Sequence, residues 1–294
     1  MDITLSPTTD RPALGARLMA HPLVRIVLGM VLTFAAVPLT MIVASKLVDK
    51  PYRIAWPQLL AAVLVWFGYR FYVRRVEKRQ PTELSTAGMA RELGAGLLGG
   101  AALVAASFGA LAVVGAYRLD GVNAIGLALL LPLAEMILVG MAEEMVFRGI
   151  LFGVTARALG NKAGIVVSAL VFAVAHLPND GVSLLAVGAL LAFGMLQAAL
   201  YMITGRLWVC IGVHVAWNYS LGQLFSATVS GHAANAGLLR GELAGDAMLT
   251  GGAFGIEGSL VTLLLVGTAA AFCLRRAFAV AGVKSDIRTR TQQP

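Results

Sequence analysis

Residues 182–204 read VSLLAVGALLAFGMLQAALYMIT, twenty-three residues without a charge. As a helix at 1.5 Å per residue this run spans about 35 Å, enough to cross a hydrocarbon core of about 30 Å. Comparable runs occupy Leu23–Ser45, Ile54–Val73, Gly94–Tyr117, Val122–Ala142, Gly164–Leu177, Leu207–Phe225 and Ser259–Leu274. The whole chain shares this character, with 59% apolar and only 13% charged residues among 294. A typical soluble domain carries roughly 25% charged residues, so a soluble fold of this size could not cover its surface. The alternating ten-residue pattern of a membrane barrel is absent, and the spans are therefore helices. The expectation is an all-α polytopic membrane protein with about eight transmembrane helices. Soluble enzymes, nucleic-acid-binding modules and disordered proteins are excluded as classes.

The organisation follows from these runs. Residues 1–22 form a polar cytoplasmic tail, 23–119 the first three helices, and 120–225 helices four to seven. Residues 226–258 make an external loop of small residues, 259–276 the eighth helix, and 277–294 a basic cytoplasmic tail. With both termini inside, 18 of the 23 Lys and Arg residues fall on the cytoplasmic side and 5 on the other, the asymmetry of the positive-inside rule. The implied location is a cell membrane, taken as the inner membrane of a bacterium. The basic tail is expected to touch anionic lipid, not nucleic acid. Cys210 and Cys273 sit within apolar runs and make neither a disulfide framework nor a zinc-finger spacing. Gly and Ala in the third span suit close helix packing.

Ionisable groups inside spans are costly, about 2.5–3.5 kcal/mol each on insertion scales, and so point to function. They are Glu135, Glu143, Glu144, His176 and His214, joined by the amide of Asn218. Glu144 and Arg148 stand four apart in the favourable acid-before-base order. Their pairing would leave Glu143 as the free carboxylate. His214 and Asn218 share one face of the seventh span. Counting from the basic markers Arg157 and Lys162 puts Glu143 and His176 each about 21 Å along its helix. One cluster on the cytoplasmic half of the membrane is expected. A buried polar knot gluing helices together is the other reading. Adjacent carboxylates are a wasteful glue, since like charges raise one pKa, and a raised Glu beside two His suits a general base. Glu135 reads as a structural hydrogen-bond partner, His21 and His232 as solvated residues, and Trp217 and Tyr219 as packing residues. No H-E-x-x-H pair, G-x-S-x-G elbow, G-x-G-D stretch or phosphate-binding glycine pattern occurs.

Glu143-Glu144-Met145-Val146-Phe147-Arg148 has the form E-E-x-x-x-R. Phe172-Ala173-Val174-Ala175-His176 has the form F-x-x-x-H, and His214-Val215-Ala216-Trp217-Asn218 the form H-x-x-x-N. Three such motifs in this order resemble the CPBP family of intramembrane endopeptidases, which includes the type II CAAX prenyl proteases and bacteriocin-processing proteins. The resemblance covers about residues 120–225. It implies that Glu143 activates water with help from His176, that His214 and Asn218 hold the oxyanion, and that Glu144 and Arg148 support the site. It implies a membrane-associated protein or peptide substrate, cleaved from a cytoplasm-facing cavity. No cofactor is expected, zinc held by Glu143, His176 and His214 being the alternative. The rival functions are a non-enzymatic membrane scaffold or immunity protein on the same fold, and a small proton-coupled transporter.

Overall fold

Proline sets the start of several helices. A computed structural model describes residues 14–124, 126–233 and 236–290. In it, Pro22, Pro57 and Pro132 lie in the first turns of α2 (Pro22–Phe34), α4 (Trp56–Arg75) and α6 (Leu131–Glu144), where a missing N–H costs nothing. A short α1 (Leu14–Ala20) precedes α2. Pro38 cannot donate to the carbonyl of Phe34, and the first span accordingly breaks at Ala35 into α2 and α3 (Ala36–Leu47). The chain continues through α5 (Met89–Val113), α7 (Gly153–Leu159), α8 (Asn161–Ala175), α9 (Leu184–Thr204), α10 (Trp208–Tyr219), α11 (Ala247–Thr250) and α12 (Leu260–Arg290). The first thirteen residues of the expected N-terminal tail and the last four of the basic tail lie outside the described residues.

The all-α membrane expectation holds, with differences in detail. Four helical stretches among the described residues are long and apolar enough to cross a membrane: Pro22–Leu47, Met89–Val113, Leu184–Thr204 and Leu260–Gly282. The other expected spans are less clear-cut, so the count of eight does not follow. α4 carries Arg70, Arg74 and Arg75, α8 is only 15 residues long, and two others pass into π-helix. The fourth expected span begins at Leu131, not near Val122, because Tyr117–Val122 forms a strand, β1. It pairs antiparallel with β2 (Leu239–Leu243), from the expected external loop of small residues. Each strand is too short to show a pattern by itself, and its partner lies far away in sequence. The apolar run ending near Leu274 is likewise not a helix end, since α12 continues to Arg290.

α5 packs on α10, α9 on α12 and α8, and α4 on α2, α3 and α6. The Gly and Ala content of α5 has the expected consequence: a Cβ on Gly96 would lie 2.3 Å from the carbonyl oxygen of Val209. Leu98, Leu264, Phe272 and many other large apolar side chains stay exposed, as a lipid-covered surface requires. One end of the bundle holds Arg79 against Glu77 and Glu83, Arg157 against Glu77, and Arg206 against Glu92. Burial alone would raise the Glu83 carboxyl, but Arg79 and the Tyr69 hydroxyl hold it below the usual range. The opposite end holds the β1–β2 pair and the turns after α8 and α10.

Candidate functional site

Glu143 and Glu144 close α6, and the helix then changes character without breaking. Met145–Phe152 is π-helical and wholly buried, leading directly into α7. Such widened turns appear mostly at functional sites. At this junction Glu144 is fully buried and its Oε1 accepts from three neighbours. Arg148 Nη1 donates at 2.9 Å, Gln197 Nε2 at 3.0 Å, and His214 Nδ1 lies at 2.7 Å. Arg148 is itself fully buried, with its guanidinium carbon 4.9 Å from the Phe172 ring centroid. The pairing expected from the four-residue spacing is present, and it is wider than a pair. Gln197 also donates to the carbonyl of Cys210 at 2.9 Å, fastening α9 to α10.

Glu143 differs from its neighbour in exposure and in having no oxygen hydrogen-bonded to a described residue. Its side chain is partly exposed to a cavity, and its Oε2 has no hydrogen-bond partner among the described residues. The nearest ionisable partner is His214, whose Nε2 lies 3.8 Å from that oxygen. His214 therefore stands between the two glutamates, Nδ1 towards Glu144 and Nε2 towards Glu143. Because ionised Glu144 can only accept, Nδ1 carries the proton. Asn218, one helical turn on, lines the same cavity, and its amide has no protein partner among the described residues. His176 ends α8, with Nδ1 2.8 Å from the carbonyl of Phe172. That leaves Nε2 as its free ring nitrogen. All four residues line one cavity of about 790 Å³, walled largely by apolar side chains such as Phe147, Phe172, Phe193 and Trp217.

Several expectations need correction. Residue counting placed the cluster in the cytoplasmic half, with a cytoplasm-facing cavity. Its wall instead includes Asn179, Val229, Ser230 and His232, from the end opposite Arg157 and Arg206. The physical reason is that α8 has only 15 residues, so His176 already sits at its far end. A level of about 21 Å is past the middle of a core about 30 Å thick. Glu135 is no hydrogen-bond partner of any described residue and lines the cavity. His232 is exposed, as a solvated residue should be, and also borders the cavity. Trp217 does pack, with its ring 5.4 Å from Phe193, but its Nε1 also donates to Glu257 at 2.8 Å. Gln197 and Glu257 were missed. A glutamine inside an uncharged run was a usable signal for the first, and only the fold brings in the second.

Glu143, His176 and His214, the alternative zinc ligands, line the same cavity. No group of three or more His, Cys, Asp or Glu among the described residues converges as a ligand set.

Residues 125–220 match the family model described as type II CAAX prenyl endopeptidase Rce1-like. The match takes in all three motifs and supports the CPBP/CAAX protease family, whose members are endopeptidases acting at membranes. No curated protein matches the chain.

Proposed function

We infer that this integral membrane protein, carrying a CPBP/CAAX protease segment over residues 125–220, hydrolyses peptide bonds of membrane-associated proteins or peptides, with Glu143 as the base. The carrying observation is the contrast between the two glutamates. Glu144 is fully buried with its Oε1 held by Arg148, Gln197 and His214, whereas the Glu143 side chain borders the cavity and makes no hydrogen bond to a described residue. In this reading Glu143 takes a proton from water as the water oxygen bonds to the scissile carbonyl carbon. The carbonyl electrons move onto oxygen, and the oxyanion accepts from the free amide of Asn218. His214 assists by donating from Nε2. With Nδ1 already a donor to Glu144, this requires an imidazolium, which the Glu144 carboxylate supports. Collapse of the tetrahedral intermediate breaks the C–N bond, and Glu143 returns its proton to the leaving amine. His176, through Nε2, helps orient the water. No metal takes part in these steps, and the eight-span arrangement with both termini in the cytoplasm is proposed with them.

The test is cleavage of membrane peptides by the purified chain, guided by membrane proteomes from cells with wild type or Glu143→Gln. Glu143→Gln keeps volume but removes the base and should cost about 10²–10⁴-fold. Asn218→Ala should cost about 10²–10³-fold. Thorough chelation should leave the wild type active. Activity lost to chelation and restored by zinc would overturn the metal-free reading. Equal cleavage by Glu143→Gln and wild type would favour a scaffold.

A further inference from the structure

Glu257 lies in the short turn Ile256–Gly258, just before α12 and outside the matched segment. It is 7% exposed and forms part of the wall of the same cavity as Glu143 and His176. Its carboxylate is heavily engaged. Trp217 Nε1 donates to Oε1 at 2.8 Å, the backbone N–H of Ser230 donates to Oε2, and Ser230 Oγ lies 3.2 and 3.1 Å from the two oxygens. Burial pushes the carboxyl up, against the pull of these donors and of nearby His176.

The two ends of this bridge are both walls of the cavity. Trp217 immediately precedes Asn218 on α10, and its ring touches Phe193, which in turn touches His214. Ser230 belongs to the tight turn bridged by Val229 and His232. That turn is wedged in place. Ser230 has φ +46°, Gly231 has φ +83°, and a Cβ on Gly231 would lie 2.4 Å from the carbonyl oxygen of Asp180. Asn179 Nδ2 donates to the Ser230 carbonyl at 2.9 Å, and the Asn179 N–H donates to the carbonyl of His176 at 3.1 Å. One carboxylate thus ties the helix carrying His214 and Asn218 to the turn anchored beside His176. A purely packing role would not require an acid, since burying a carboxylate is costly and an apolar residue of similar volume is often no less stable.

We propose that Glu257 is a positioning residue of the site, holding Trp217 and with it the Asn218 and His214 side chains in register with the Ser230 turn beside His176. The assignment rests on the proteolytic reading above. The experiment uses the full chain labelled with 5-fluorotryptophan, whose four tryptophans give four fluorine signals, that of Trp217 being assigned by its loss in Trp217→Phe. Glu257→Gln preserves size, but its NH₂ must face a donor on one side, so one tie breaks. The Trp217 signal should move while the other three stay. kcat should fall about tenfold to a hundredfold, with KM changed less than about twofold, the pattern of misplaced reacting groups. Trp217→Phe should give a similar kcat loss, and the double variant should be no worse than the more impaired single one. An unmoved Trp217 signal, an unchanged kcat or additive losses would each overturn the proposal. Should Glu257→Gln not fold, Trp217→Phe alone carries the test, since it keeps the carboxylate and its Ser230 donors. A wild type inactive on every substrate overturns the proteolytic reading and this role together, whereas an active wild type matched by Glu257→Gln overturns this role alone.

Discussion

Glu143 and Glu144 are neighbours in sequence with opposite surroundings, because one residue of helix turns the side chain by about 100°. Glu144 points into the contact of α6, α9 and α10, where Arg148, Gln197 and His214 converge on one oxygen. Glu143 points to the cavity. The ion pair is fully buried at 2.9 Å, so its value lies in not leaving either charge alone. Arg148→Met should therefore lower stability by about 3–5 kcal/mol, the usual cost of orphaning a buried partner. Adding Glu144→Gln should recover part of that loss by removing the orphaned charge. Denaturant unfolding in detergent checks both. A double variant no more stable than Arg148→Met would contradict the pairing account.

At the scale of elements, the position of α10 decides whether the site exists. Gly96 and Gly100 of α5 and Gly212 of α10 allow backbone contact, with a Cβ on Gly212 falling 2.5 Å from the carbonyl oxygen of Leu93. Small residues of this kind let helices approach where lipid supplies no hydrophobic driving force between them. Gly96→Leu should force α10 away from α5 and displace His214 and Asn218 relative to Glu143. The expected result is an inserted protein with a lowered melting temperature and at least a tenfold loss of cleavage rate, since small misplacements at a reacting centre are costly. Gly109→Leu, on the same helix with open space around it, should be near neutral and serves as the control. Equal behaviour of the two would show that the α5–α10 contact is not what sets the site. The π-helical segments Met145–Phe152 and Ser220–Leu224 follow α6 and α10, two of the three helices that bear the site. A count at fixed 100° per residue does not carry past Glu144 or Tyr219.

Across the whole molecule, the ion-paired end with Arg79, Arg157 and Arg206 lies opposite the end with β1, β2 and the Ser230 turn. Residues assigned to one side of the membrane by their charge meet one another at one end of the bundle. The cavity reaches the second end. Reporter fusions after Asn179 and near Gly231 should both give an external signal if the basic end is cytoplasmic. A cytoplasmic signal from either would reverse the orientation and, with it, the compartment from which water reaches Glu143.

The sequence by itself determined that this is a helical membrane protein, because uncharged runs such as 182–204 have no other stable state in or out of a bilayer. It also determined the shared face of His214 and Asn218, since contacts four residues apart are built into an α-helix, and it pointed to the Glu144–Arg148 pair, which persists although Arg148 lies in the π-helical segment. Everything that depends on which helices meet was decided only by the tertiary structure. Gln197 reaches Glu144 from another helix, and Glu257 reaches Trp217 from the far side of a long loop. β1 and β2 find each other across more than a hundred residues. The cavity's end of the bundle followed from where α8 stops, not from distance to a basic marker. Local periodicity carries no information about such long-range contacts, because their partners are set by packing between elements and not by spacing within one.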